Sequence, residues 1–126
     1  MNGIQTSVSR YSVDETVSRL KDILLAKGVK LFCLVDHSGE AAAAQLEMPP
    51  TKLLIFGNPK LGTPVMLAAP SAALDLPLRI LIAEQADGAV LLSWNDPAWI
   101  EERHGIPHDL LANIAAAGVL AGAAGG

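Results

Sequence analysis

Ile4, Thr6 and Val8 alternate with Gln5, Ser7 and Ser9, the two-residue period of a strand with one buried face, short and near a sheet edge. Ser12 and Glu15 then form an S-x-x-E capping box, and Val13, Val17, Leu20 and Leu24 recur at helical spacing until Gly28 supplies a left-handed stop. Lys30 to Asp36 reads as a second strand. Glu40 to Glu47 reads as an alanine-rich helix closed by Pro49 and Pro50. A third strand over Lys52 to Phe56 runs into the loop Gly57-Asn58-Pro59-Lys60-Leu61-Gly62. After it, Thr63 and Pro64 have the chemistry of an N-cap and a first helical residue, and a short helix follows from Val65 to Ala69. Leu76 to Glu84 and Ala89 to Trp94 are two more strands, joined as an antiparallel hairpin by Asp87-Gly88. Asp96-Pro97 opens another helix that Gly105 ends, and Pro107 begins a last one through Leu110, Leu111 and Ile114, with a small-residue tail from Gly118 expected to fray. This order predicts one α+β domain over 1–126: a mixed, largely antiparallel sheet of about five strands with helices packed on it.

Four segments, Leu31 to Val35, Leu53 to Phe56, Ile80 to Ala83 and Ala89 to Leu92, are apolar on consecutive residues. Both faces of the sheet therefore ask for cover. Helices could supply it on both sides, or helices on one side and a second subunit on the other, and a homodimer is expected through a sheet face or the last helix. Twenty alanines and nineteen leucines dominate 126 residues that hold five aromatic rings, which makes the core one of small side chains but large enough to stand without disulfide or metal staples. The net charge is −4, with no basic run interleaved with aromatics, so nucleic acid is not an expected partner. The uncharged stretch after Asp109 is short and rich in Ala and Gly, and no membrane role is expected. A single cysteine, Cys33, and the lack of a basic-then-apolar start over Met1 to Arg10 read as cytoplasmic.

The segment Phe56 to Pro64 concentrates unusual residues. A phosphate loop would need Gly, four residues, then Gly-Lys-Ser/Thr, and here Lys60 precedes Gly62 while Pro59 and Pro64 each remove an amide donor. Nucleotide binding of that kind is excluded, leaving either a rigid Gly/Pro turn or a helix start near Thr63 that offers free amides to an anion. His104 and His108 stand four apart, but Gly105 and Pro107 between them break the helix that would align them as metal ligands. No metal and no cofactor are expected. Cys33, between Phe32 and Leu34 without a basic neighbour, reads as a buried small hydrophobe. His37 follows Asp36 at a strand end, where sites are often built. Asp75 interrupts an apolar stretch and must be hydrogen-bonded, paired or solvent-facing, either as a cap before Pro77 or as an acid lining a pocket with Arg79 or His37 nearby. Asp96 most simply caps the helix at Pro97.

Taken in order, Asp36-His37, Pro50-Thr51, Leu53 to Pro59, Gly62-Thr63-Pro64, Ala73 to Leu78, Asn95-Asp96-Pro97 and Arg103-His104-Gly105 closely resemble the domain-of-unknown-function family numbered 302, from about Val8 to Pro107. The resemblance implies a compact α+β domain, often dimeric, and no activity. His37, Asn58, Gly62, Thr63, Asp75, Asn95 and Asp96 are the characteristic residues that the chain matches. It departs at Leu81-Ile82-Ala83, where relatives usually carry an aromatic pair, and at Trp94, where they carry Tyr.

Three functions remain. The first is binding of a small polar or anionic ligand at the strand ends, using His37, Asn58, Gly62, Thr63, Asp75 and Asn95. The second is an enzyme with His37 as general base and Asp75 orienting it while loop amides receive negative charge. The third is a structural dimerisation module without a ligand.

Overall fold

A computed structural model describes residues 2–126. Five strands, β1 (Ile4–Ser9), β2 (Lys30–Asp36), β3 (Thr51–Gly57), β4 (Leu78–Glu84) and β5 (Val90–Asn95), form one sheet in the order β1-β5-β4-β3-β2. Every ladder is antiparallel, so the expected mixed sheet is a fully antiparallel one. The helices are α1 (Val13–Ala26), α2 (His37–Ala43), α3 (Pro59–Ala68), α4 (Pro97–His104) and α5 (Ala116–Gly125), with short 3-10 segments at Pro70–Leu74 and His108–Ile114.

Several boundaries follow the predicted chemistry. Ser12 accepts the Glu15 amide at the start of α1, Asp96 accepts the Ala98 amide at the start of α4, and Gly105 ends α4 at φ 65°, a conformation that glycine adopts without a Cβ penalty. The β4–β5 turn closes through Gln85 N–H to the Ala89 carbonyl, with Gly88 at φ 87°.

Two helix starts differ from expectation for a shared reason. Asp36 caps α2 by accepting the Gly39 amide at 2.9 Å and the Ser38 hydroxyl at 2.8 Å, which draws the helix back from Glu40 to His37. Asn58 caps α3 through the Lys60 amide at 3.0 Å, with Pro59 at the first helical position. Asn58-Pro59 thus outcompetes Thr63-Pro64, and Pro64 is carried inside the helix, close enough to its start that the bond it forfeits belongs to the carbonyl of exposed Lys60.

The core lies between one sheet face and the helices. Leu54, Phe56, Ile80, Ile82 and Leu92 are fully buried beneath Val17, Leu20 and Leu24 of α1 and Ala117, Leu120, Ala121 and Ala124 of α5. The tail expected to fray is therefore a packed helix. Its alanines allow close approach to α1, and Arg19 donates to the Ala123 and Ala124 carbonyls at 3.1 and 2.8 Å, satisfying C-terminal acceptors that would otherwise lack partners. Ser9 and Thr16, both buried, bond each other at 2.7 Å.

The opposite face is built by Val35, Leu53, Ile55, Leu81, Ala83 and Leu91, the residues alternating with the buried set. None of these is fully buried. Val8 remains 68% and Ile4 52% exposed. Cys33, expected in the core, lies exposed on this side, because a register shift between Leu31 and Cys33 inserts an extra residue, Phe32, into β2.

Replacing Ala121, which is fully buried, with Leu is expected to cost about 1–3 kcal/mol through overpacking at the α1–α5 contact; urea unfolding measures it, and an unchanged midpoint would mean that α5 does not pack there.

Candidate functional site

An antiparallel sheet sends the ends of alternate strands to opposite rims. β2 ends, β3 begins and β4 ends on one rim, since Asp36 pairs with Lys52 and Lys52 with Ile82. The other rim collects the end of β3, the start of β4 and the end of β5, with Phe56 paired to Leu78 and Asn95 to Ile4. His37 therefore stands on the first rim, while Asn58, Asp75 and Asn95 stand on the second. The expected His37–Asp75 pair does not exist. His37 is an exposed first residue of α2. Its neighbour Asp36 has its pKa lowered by the Gly39 backbone amide first and the Ser38 hydroxyl second, as expected for an acceptor at a helix N-cap.

The second rim holds a cleft of about 290 Å³. Gly57 and Pro77 are part of its wall. Phe32 is on one side, Met66, Leu76, Leu78 and Ile114 supply apolar surface, and Asn58, Gly62, Thr63 and Asn113 complete the lining. Of the residues expected to contact a ligand, Asn58, Gly62 and Thr63 meet here. Their roles differ from those expected: Gly62 and Thr63 are inside α3, so the amides near Thr63 are spent in the helix and cannot receive an anion. A Cβ at Gly62 would meet only the Met66 methyl, at 4.0 Å, so glycine here leaves room in the cleft and is not demanded by the backbone. Asn58 spends its Oδ1 on the Lys60 amide, and Asn113 donates its Nδ2 to the Leu61 carbonyl at 3.0 Å. The other polar end of each amide side chain takes no protein partner among the described residues. Lys30 Nζ sits 4.8 Å above the Phe32 ring, placing a cation at the cleft edge.

Asp75 does not line this cleft. It accepts Arg103 Nη1 at 3.0 and 3.2 Å and faces His104 Nε2 at 2.5 Å. On the other side of the ring, His104 Nδ1 lies 2.7 Å from Ser71 Oγ. The 3-10 segment Pro70–Leu74 delivers Ser71 and Asp75, and the last turn of α4 delivers Arg103 and His104. Sequence reasoning set His104 aside with His108, which instead meets Glu101 at 2.8 Å; the usable signal was the Arg103-His104 pair just before the Gly105 stop. Arg103 also stacks 5.3 Å from the Trp99 ring centre. Arg79, the other suggested neighbour of Asp75, turns to the Pro77 carbonyl at 3.4 Å.

Asn95 closes β5 on the uncovered face, outside the cleft. Asp96 caps α4 and accepts Gln5 Nε2 at 3.1 Å. The positions that depart from the usual aromatic pattern do not shape the cleft either: Leu81, Ile82 and Ala83 are absent from its lining, with Ile82 buried in the core, and Trp94 lies beside Gly118 of α5, where an added Cβ would come within 3.5 Å of its ring. Among the described residues, no group of three or more His, Cys, Asp or Glu gathers as metal ligands.

The chain belongs to the family described as "Domain of unknown function DUF302", whose pattern matches residues 4–119. Its fold is that of an uncharacterized conserved DUF302 protein from Bacillus stearothermophilus, solved by crystallography, with a TM-score of 0.80 over 99% of this chain and 97% of that one at 16% identity. Over 105 residues, 83% of the chain, it is 44% identical to the fluoride-specific ion channel FluC 1 of Brucella suis biovar 1 (strain 1330). The same identity holds against FluC 2 of Brucella melitensis biotype 1. The chain spans about two fifths of the length of these relatives, 41% and 39%. No helix among the described residues is long and apolar enough to cross a membrane.

Asp75→Ala is expected to cost about 1–3 kcal/mol, because the His104 side chain, 3% exposed, keeps a ring N–H without its acceptor. His37→Ala should stay within about 0.5 kcal/mol. Paired urea titrations test the contrast, and equal effects would contradict the geometry.

Proposed function

We propose that the domain binds a small, largely apolar molecule with one polar or anionic end in the cleft between α3, the start of β4 and Phe32. The observation that carries this reading is the lining itself. Apolar walls, a glycine that keeps space open, two amide side chains with uncommitted ends and a lysine over the entrance ring match the composition of small-molecule sites: mostly hydrophobic, with a few polar groups that set orientation. A strongly polar ligand held by His37 and Asp75 has no support, since those residues lie on opposite rims. In the Brucella relatives the same stretch shares a chain with the segment that would carry the channel activity in their name, which suits a ligand-responsive accessory domain.

A second reading, that the domain also pairs with a copy of itself, is favoured by the uncovered face. Five strands about 4.8 Å apart and six or seven residues long give a face roughly 20 Å on a side, an apolar patch of about 400 Å², a size that often marks an interaction surface. Among the residues alternating outward on β2, β3, β4 and β5, the charged ones are Lys30, at the start of β2 over the Phe32 ring, and Arg79, whose Nε is buried without a partner among the described residues. A second copy is the occupant that fits, because α5, the other expected contact, is spent on the chain's own core.

8-Anilinonaphthalene-1-sulfonate, an apolar anion, should bind and shift the amide NMR signals of Asn58, Thr63 and Asn113. Gly62→Leu should abolish these shifts while leaving the fold intact; shifts confined to the sheet face would overturn the cleft reading. In sedimentation at high micromolar concentration the chain should run as a dimer, and Leu81→Lys should make it a monomer. A wild-type monomer would end the pairing proposal and leave the cleft untouched.

A further inference from the structure

We propose that Ser71, His104 and Asp75 form an acyl-transfer relay in which Ser71 Oγ takes an acyl group from a small activated ester. The proposal goes beyond ligand binding and concerns a different site. A nucleophile, a base and a group that orients the base stand in one line of hydrogen bonds, Ser71 Oγ to His104 Nδ1 at 2.7 Å and His104 Nε2 to Asp75 Oδ2 at 2.5 Å. This is the geometric signature of an activated hydroxyl. The two ring nitrogens exchange the places they hold in the common serine hydrolases, but the roles do not depend on which nitrogen fills them.

Burial assigns the parts. The His104 and Asp75 side chains are 3% and 13% exposed, so the base and its partner sit largely out of water. Ser71 is exposed and can meet a substrate. With the Nε2–H directed at Asp75, Nδ1 carries the lone pair that accepts the serine proton. Arg103 grips both Asp75 oxygens and keeps the carboxylate from turning away.

In the first step Ser71 Oγ bonds to the ester carbonyl carbon and its proton passes to His104 Nδ1. The tetrahedral adduct then breaks the bond to the leaving oxygen, which takes that proton and departs as an alcohol or phenol. Water, deprotonated by the same nitrogen, attacks the acyl-serine and releases the carboxylic acid, returning the proton to Ser71.

4-Nitrophenyl acetate is the probe. Peptide mass mapping of the intact chain should place the acetyl group on Ser71 at least about tenfold faster than on Ser7, Ser9, Ser12, Ser18, Ser38 or Ser93. The nitrophenolate release rate should rise to a plateau as the imidazole deprotonates. Ser71→Ala should remove the release above background, and His104→Gln, checked for fold by circular dichroism, should slow it about a hundredfold. Should His104→Gln unfold, the wild-type labelling pattern and pH profile decide alone. Acetylation of Ser71 at the rate of exposed Ser12 and Ser18, or a release rate without the imidazole step, would overturn the relay.

Discussion

The molecule is organised by one mismatch: a sheet apolar on both faces and a set of helices that covers only one of them. Antiparallel pairing of five strands in the order β1-β5-β4-β3-β2 aligns Leu54, Phe56, Ile80, Ile82 and Leu92 as a continuous floor. α1 and α5 meet over it because alanine lines their contact. A bulkier α5 would stand off from α1 and reopen the core to water. The close packing of small side chains makes up in contact density what the core lacks in aromatic area.

The same pairing decides where chemistry can collect. One rim receives the Asn58 cap, the start of β4 and the two 3-10 segments. The other receives the Asp36 cap, exposed His37, the β4–β5 turn and the Lys52–Asp14 ion pair. The cleft and the Asp75–His104 network therefore share a rim while using separate residues, with Leu76 in the cleft wall directly following Asp75 in the chain. Gly3 helps hold this rim together from the far terminus, since at φ 75° it lies so close to the Trp99 ring that a Cβ would overlap it, and Trp99 in turn stacks on Arg103.

Much of the scaffold was legible in the sequence because local chemistry decides it: the Ser12 box, the Asp96-Pro97 start, the Gly105 stop and the Asp87-Gly88 turn all act within a few residues. The misreadings arose where two local signals competed or where partners were distant. Asn58-Pro59 and Thr63-Pro64 offer the same cap-plus-proline start, and the chain takes the first, with Asn58 accepting the Lys60 amide and Pro64 carried inside the helix. The α5 tail looks disordered until α1 lies against it. For the candidate site, the cleft loop was visible as a cluster of Gly, Pro and Asn, but the partner of Asp75 was not. Strand direction, which periodicity does not encode, put His37 on the wrong rim, and His104 was hidden by its position in the final helical turn.

The extra residue in β2 also separates two duties that a regular strand would join. Leu31 and Leu34 both face the core although three positions apart, so Phe32 is released from the in-and-out alternation and its ring joins the cleft wall instead. Position 32 can therefore change size or polarity without moving a core side chain. This gives the fold a tuning point at which homologous domains could diverge in what they hold while keeping an identical interior.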